Sequence, residues 1–179
     1  TDGRIGSKLN FIPMKKEVSV CMPAGKVHAI CGGLSIFEIQ QNSSITYRLY
    51  DYGRVGKDGK PRELHVKKAV AVSDLKSVSQ KNSEIRQIND NEKLLAECEY
   101  FKCSEVTFAD EHKIKVGRDS FVGMTFTEGE GGINDLSDDR EDAVPYKKGD
   151  TFFVPAGIGI VTLSGSGKVI LYSVPSRQS

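Results

Sequence analysis

His28 is the residue whose type and setting first suggest chemistry. It follows Pro23-Ala24-Gly25 within a β-rich stretch. Proline fixes φ at the end of one strand and cannot donate to a ladder, while glycine accepts the angles of a sharp corner. The strand after such a corner can cross a barrel with alternate side chains pointing inward. An imidazole there could bind a metal, or be a hydrogen-bonded core histidine. Arg48, in Thr46-Tyr47-Arg48, carries a permanent, forked charge suited to a phosphate or an anionic oxygen, or to a simple surface or strand pairing. Glu38 shares one face of an expected strand with Ile36 and Gln40, opposite the more apolar Phe37 and Ile39. It therefore faces solvent or a polar cavity, where it could accept a proton or hold a cation.

Other reactive side chains point to structure rather than chemistry. Cys21, Cys31, Cys98 and Cys103 lack the close pairing of structural zinc or redox motifs and read as reduced, mostly buried thiols. Asp135, Asp138, Asp139, Glu141 and Asp142 cluster without the glycine and alternating ligands of a calcium loop, so a solvated loop is expected. Tyr47 and Tyr50 read as packing residues, and Lys67 and Lys68 as a solvated helix face.

The elements that must position these residues are mostly strands. Segments 18–22, 34–40, 45–50, 121–127, 151–154 and 168–174 are short, rich in β-branched and aromatic residues, and bounded by glycine or proline. Residues 63–75, with Leu64, Lys68 and Val72 four apart, support one short helix. Residues 53–61 read as a hairpin tip punctuated by Gly53, Gly56, Gly59 and Pro61, and the polar stretch 77–93 as a linker. An all-β sandwich or barrel follows.

An internal repeat sharpens that architecture. Lys15-Lys16-Glu17-Val18-Ser19-Val20-Cys21-Met22-Pro23-Ala24-Gly25 aligns without gaps on Lys147-Lys148-Gly149-Asp150-Thr151-Phe152-Phe153-Val154-Pro155-Ala156-Gly157, an offset of 132 positions (155 − 23). Each copy runs strand, Pro-Ala-Gly turn, strand. At the position equivalent to His28 the second copy has Ile160, so metal chemistry is expected in the first copy and a packed, metal-free module in the second.

With 179 residues, a net charge of +1 and 38% hydrophobic residues, the chain can bury a sizeable core. Near-neutrality gives no electrostatic reason to expect nucleic acid or an anionic membrane as partner. No apolar run approaches membrane-spanning length and residues 1–10 do not resemble a secretion signal, so cytoplasm is the default location.

The strings Pro23-Ala24-Gly25-Lys26-Val27-His28-Ala29-Ile30, Gly33-Leu34, Glu38-Ile39-Gln40 and Thr46-Tyr47-Arg48-Leu49-Tyr50-Asp51 resemble type I mannose-6-phosphate isomerases. Arg54, Arg62-Glu63-Leu64-His65 with Lys68-Ala69, Glu99-Tyr100-Phe101, Lys148-Gly149-Asp150 and Pro155-Ala156-Gly157 continue the likeness, which runs from about Leu9 onward. The resemblance implies duplicated cupin or jelly-roll β-barrel units, the first incomplete, with residues 1–76 as the C-terminal part of the catalytic unit, 77–93 as linker and 94–179 as a metal-free unit. It also implies reversible interconversion of mannose 6-phosphate and fructose 6-phosphate with one zinc ion held by a glutamine, a histidine, a glutamate and a second histidine.

In that scheme His28 is the last zinc ligand, Arg48 the active-site arginine near the reacting end of the sugar, and Glu38 a carboxylate of the same pocket. Arg54 falls where relatives carry a basic residue that can help with phosphate, and Ser44 stands where they often have an aspartate. No Gln-x-His pair followed by a glutamate precedes His28. Three of the four ligands are therefore expected outside this chain, leaving it inactive in isolation. A different class of function, a non-catalytic cupin-like sugar-binding or regulatory module, is the alternative. An incomplete first unit would expose strand edges and inward apolar side chains, so the chain is expected to form a homodimer or to close the gap with its own N-terminal segment.

Overall fold

The density of β-branched and aromatic residues beyond residue 85 is realised as one eight-stranded antiparallel sheet. The structure, a computed structural model, describes residues 4–76, 85–135 and 143–175. The chain divides into two compact units, Thr1–Lys81 and Asn82–Ser179.

In the second unit the strands are β1 (Arg86–Asn89), β2 (Glu92–Glu97), β3 (Lys102–Phe108), β4 (Glu111–Val116), β5 (Val122–Asp135), β6 (Val144–Lys147), β7 (Thr151–Val154) and β8 (Gly159–Ser173). The main path is β1-β2-β3-β8-β5-β6, with β4 also on β8 and β7 also on β5. The long strands β5 and β8 pair with each other along most of their length and serve different neighbours at their two ends. Such sharing closes a sheet upon itself, as a jelly roll does.

Glycine allows β5 and β8 to approach closely. Gly131 lies opposite Gly165, and a Cβ on Gly131 would sit 1.9 Å from the Ser164 carbonyl oxygen. Inside, Phe126 and Tyr146 stack with ring centroids 3.7 Å apart, and Phe152 meets Phe126 edge-on at 5.9 Å. Met124, Phe126, Leu163 and Val169 are fully buried around them. Segments 121–127, 151–154 and 168–174 thus enter β5, β7 and β8 as expected.

Two sequence expectations shift in this unit. Strand β1 falls inside the stretch expected as a linker, because Arg86–Asn89 is an exposed edge strand whose polarity reflects solvent rather than absence of structure. The acidic cluster begins at the end of β5 with Asp135, and its remaining members lie outside the described residues.

The first unit holds a 3₁₀ turn (Arg4–Lys8) and a helix α1 (Val66–Val72). The helix is the one expected, shortened to its apolar centre, with Ala69 buried. The hairpin tip also forms: Val55 bridges Pro61, and the Gly56 N–H donates to the Lys60 carbonyl at 2.7 Å.

Segments 18–22, 34–40 and 45–50, expected as strands, lie outside any described ladder. A strand exists only with a neighbour to pair with. Among the described residues of this unit none provides one, and Val18, Leu34, Ile36, Phe37 and Ile45 are exposed. Alternation therefore does not sort Ile36 from Phe37. Cys21 and Cys31, expected to be mostly buried, are exposed for the same reason. Cys103, on β3, is buried, and burial pushes its thiol up to about 11.

The repeat survives at the level of the turn. Gly25 and Gly157 have φ of 86° and 85°, the left-handed conformation that a side chain resists. Ile160 faces away from the core, which β8 meets through Val161, Leu163 and Val169. The position equivalent to His28, which could have pointed inward, therefore points outward in the second copy. A one-residue slip exchanges the faces of a strand, and the turn string alone does not set it.

Candidate functional site

The site is built outward from helix α1. Beyond its C-terminal end, the Asp74 N–H donates to the Gly25 carbonyl at 2.9 Å and the Asp74 carboxylate meets Lys26 Nζ at 2.6 Å. Lys26 also donates to the Lys76 carbonyl at 2.9 Å. The Pro-Ala-Gly turn is thereby tied to the helix. His28, three residues past Gly25, is exposed, and its Nδ1 lies 2.9 Å from the Lys26 carbonyl oxygen. A carbonyl can only accept, so Nδ1 carries the proton and a neutral ring leaves Nε2 with its lone pair outward. Metal-binding histidines are commonly oriented by this type of bond.

Before the helix, residues 62–65 fold back along 48–51. The His65 N–H donates to the Arg48 carbonyl at 2.8 Å, and the Arg48 N–H donates to His65 Nδ1 at 3.3 Å. His65 therefore has its proton on Nε2, which lies 3.6 Å from Glu63 Oε2. The Arg48 Nη1 donates to the Glu63 carbonyl at 3.0 Å, and its Nε stands 3.7 Å from Asp51 Oδ1.

Asp51 is the centre of this arrangement. It is only 8% exposed. Arg62 donates to it through both Nε, at 2.6 Å to Oδ2, and Nη2, to Oδ1. A forked pair of this kind is among the stronger polar contacts available to a protein. The Arg62 hydrogen bond, with the charges of Arg62, Arg48 and Arg54, holds the Asp51 carboxyl below its ordinary range against the opposing effect of burial. The same hydrogen bond raises Arg62.

A carboxylate whose pKa is depressed by folding stabilises the structure above its unfolded value, and that contribution is lost as pH falls through the folded one. The contacts of Asp51 with Arg62 and Arg48 should therefore persist below pH 3.8, the ordinary carboxylate value, and loosen on further acidification. A carboxyl carbon titration by NMR with an Asp51 midpoint at or above 3.8 would contradict this.

Of the residues singled out in the sequence, the structure gathers Arg48 and Arg54 about Asp51. Arg54 is exposed, with its guanidinium 5.4 Å from the centre of the Tyr52 ring. Glu38 is exposed and makes no ion pair or hydrogen bond among the described residues. No described bond links His28 or Glu38 to the Asp51 network. Sequence reasoning missed Asp51 and Arg62 as partners, although the expected hairpin tip at 53–61 was a usable signal, since folding it back brings residues 51 and 62 together. Tyr47, expected to pack, has Lys68 Nζ 5.9 Å from its ring centre.

Among the described residues, no group of three or more His, Cys, Asp or Glu side chains could hold a metal ion. His28 fits a metal by its free Nε2, but as a single donor.

Residues 91–174 match the family described as mannose-6-phosphate isomerase, cupin domain. The mannose-6-phosphate isomerase ManA of Bacillus subtilis strain 168 is 38% identical over 152 residues, 84% of this chain and 47% of that protein. A mannose-6-phosphate isomerase cupin domain is thus recognisable at residues 91–174, and the likeness to these enzymes extends over most of the chain. A putative mannose-6-phosphate isomerase of the same organism, YvyI, is 34% identical over 166 residues, 91% of this chain and 51% of that protein. The chain thus spans about half the length of these curated relatives.

A crystal structure of the Bacillus subtilis mannose 6-phosphate isomerase superposes with a TM-score of 0.60 at 30% identity, over 74% of this chain and 41% of that one. The Salmonella typhimurium mannose 6-phosphate isomerase, solved with fructose 6-phosphate and zinc, shares the fold with a TM-score of 0.52 at 19% identity, over 63% of this chain and 28% of its own. The cupin or jelly-roll fold expected from the sequence therefore holds. No described helix is long and apolar enough to cross a membrane.

Proposed function

We propose that this chain forms the C-terminal part of a zinc-dependent, cytoplasmic aldose-ketose isomerase that interconverts mannose 6-phosphate and fructose 6-phosphate. The observation that carries the proposal is the 38% identity to ManA over 84% of the chain, a span too long to leave Arg48 out. In this reading the remaining metal ligands come from residues outside 1–179, and the isolated chain is inactive. His28 would supply one ligand through Nε2, and zinc, when bound, would act as a Lewis acid or as an anchor for the site.

The reaction moves a hydrogen between C1 and C2 of the sugar phosphate. That requires a base for the carbon-bound proton and a positive group beside the oxygen that gains charge. Arg48 takes the second role, since its charge is independent of pH and its Nη1 is already held by the Glu63 carbonyl. Arg54 serves the phosphate, and Glu38 contributes a carboxylate to the pocket wall.

The test is a coupled assay of mannose 6-phosphate conversion by the whole protein, before and after zinc removal. Turnover lost on chelation and restored by zinc is expected. Sugar-phosphate binding without turnover would instead identify a non-catalytic module.

A further inference from the structure

Arg48 is held more completely than a surface arginine needs to be. Its main chain is bonded in both directions to His65, its Nη1 is engaged by the Glu63 carbonyl, and its Nε faces Asp51 Oδ1 at 3.7 Å. Its side chain is 23% exposed. No described residue bonds to Nη2. The restraints therefore act on one side of the guanidinium and leave another donor group available.

Asp51 is the group on which this arrangement depends. A buried carboxylate needs strong partners to remain ionised. A single forked arginine, Arg62, already satisfies both oxygens. Arg48 is a second cation drawn to the same carboxylate, and the charge of Arg54 acts on it too. Three guanidiniums against the buried Asp51 carboxylate and the exposed Glu63 carboxylate still leave a net positive charge, which suits an anionic ligand better than a self-contained structural ion pair. Long, flexible arginines that repel one another need a fixed anion between them to hold a common geometry.

We propose that Asp51 is a positioning residue that aims the Arg48 guanidinium at the reacting sugar phosphate, with Arg62 clamping the same carboxylate in place. This rests on the isomerase reading above. Asp51 does not touch the substrate; it acts through Arg48. Misplacement of a reacting group by about an ångström can cost on the order of 100-fold in rate, so a residue acting this way affects kcat far more than substrate binding.

The experiment is a double-mutant cycle on the whole protein, with Asp51→Asn and Arg48→Ala alone and together, read by kcat and KM for mannose 6-phosphate. Asp51→Asn keeps the shape and removes the charge. It should lower kcat by about 10- to 100-fold while KM changes by less than about threefold. In the Arg48→Ala background the same substitution should add less than about threefold, because the group it positions is gone. Additive losses would show that Asp51 acts independently of Arg48 and would overturn the inference. An Arg48→Ala variant with normal turnover would overturn the isomerase role of Arg48 as well, which separates the two failures. If Asp51→Asn does not fold, Asp51→Glu takes its place in the cycle, because it keeps the charge and displaces the carboxylate by one methylene. Its loss of kcat must likewise vanish without Arg48.

Discussion

Arg48→Ala in the whole protein is expected to reduce kcat for mannose 6-phosphate isomerisation by about 10²- to 10³-fold, the usual loss when one preorganised donor to a developing anionic oxygen is removed. Zinc content should stay near normal, because the one candidate ligand in this chain, His28, is oriented by the Lys26 carbonyl and not by Arg48. The fold should also tolerate the change. The main-chain bonds between residues 48 and 65 do not need the guanidinium, and Asp51 keeps its Arg62 partner. Steady-state kinetics with metal analysis on the same preparation checks both halves. Unchanged turnover would remove Arg48 from the chemistry and with it the functional reading of the Asp51 network.

Phe126→Ala is expected to destabilise the second unit by about 3–5 kcal/mol, the range for truncating a buried aromatic ring. Phe126 has no exposed surface, stacks on Tyr146 at 3.7 Å and receives Phe152 edge-on. It lies on β5, which pairs with β6, β7 and β8, so its cavity would open where several strands meet. Collapse to fill the cavity is opposed by the close approach of β5 to β8, where no Cβ fits at Gly131. Small domains are stabilised by only about 5–15 kcal/mol, so a large part of the total would be lost. Thermal unfolding followed by circular dichroism should show a midpoint lower by at least about 10 °C, and a shift of only a few degrees would mean the ring is not central to the core. The two substitutions separate the functions of the two units, one affecting rate and the other stability.

The strands of the second unit were legible because each of segments 121–127, 151–154 and 168–174 meets a partner that its own unit supplies. The same composition at 18–22, 34–40 and 45–50 was misleading, since β propensity describes a surface that fits a sheet and does not create the neighbouring strand. The phase of the strand after the second turn was likewise beyond reach: Pro155-Ala156-Gly157 marks the corner, yet Ile160 faces out and Val161 in. The residue type at position 28 was readable, whereas the Nδ1 bond that turns Nε2 outward depends on where the Lys26 carbonyl points.

The sequence by itself determined the all-β class, the repeated Pro-Ala-Gly corners, a short helix and the family likeness that makes His28, Glu38, Arg48 and Arg54 candidates. These are local or compositional properties, carried by residues adjacent in the chain. Only the tertiary structure decided that Arg48 is held between Asp51, the Glu63 carbonyl and His65, and that Asp51 is clamped by Arg62. Apart from the Arg48–Asp51 approach, three positions apart, those contacts join residues 11 to 17 positions apart across a hairpin. They gather around one buried carboxylate, and a linear string of residues does not specify which carboxylate will be buried.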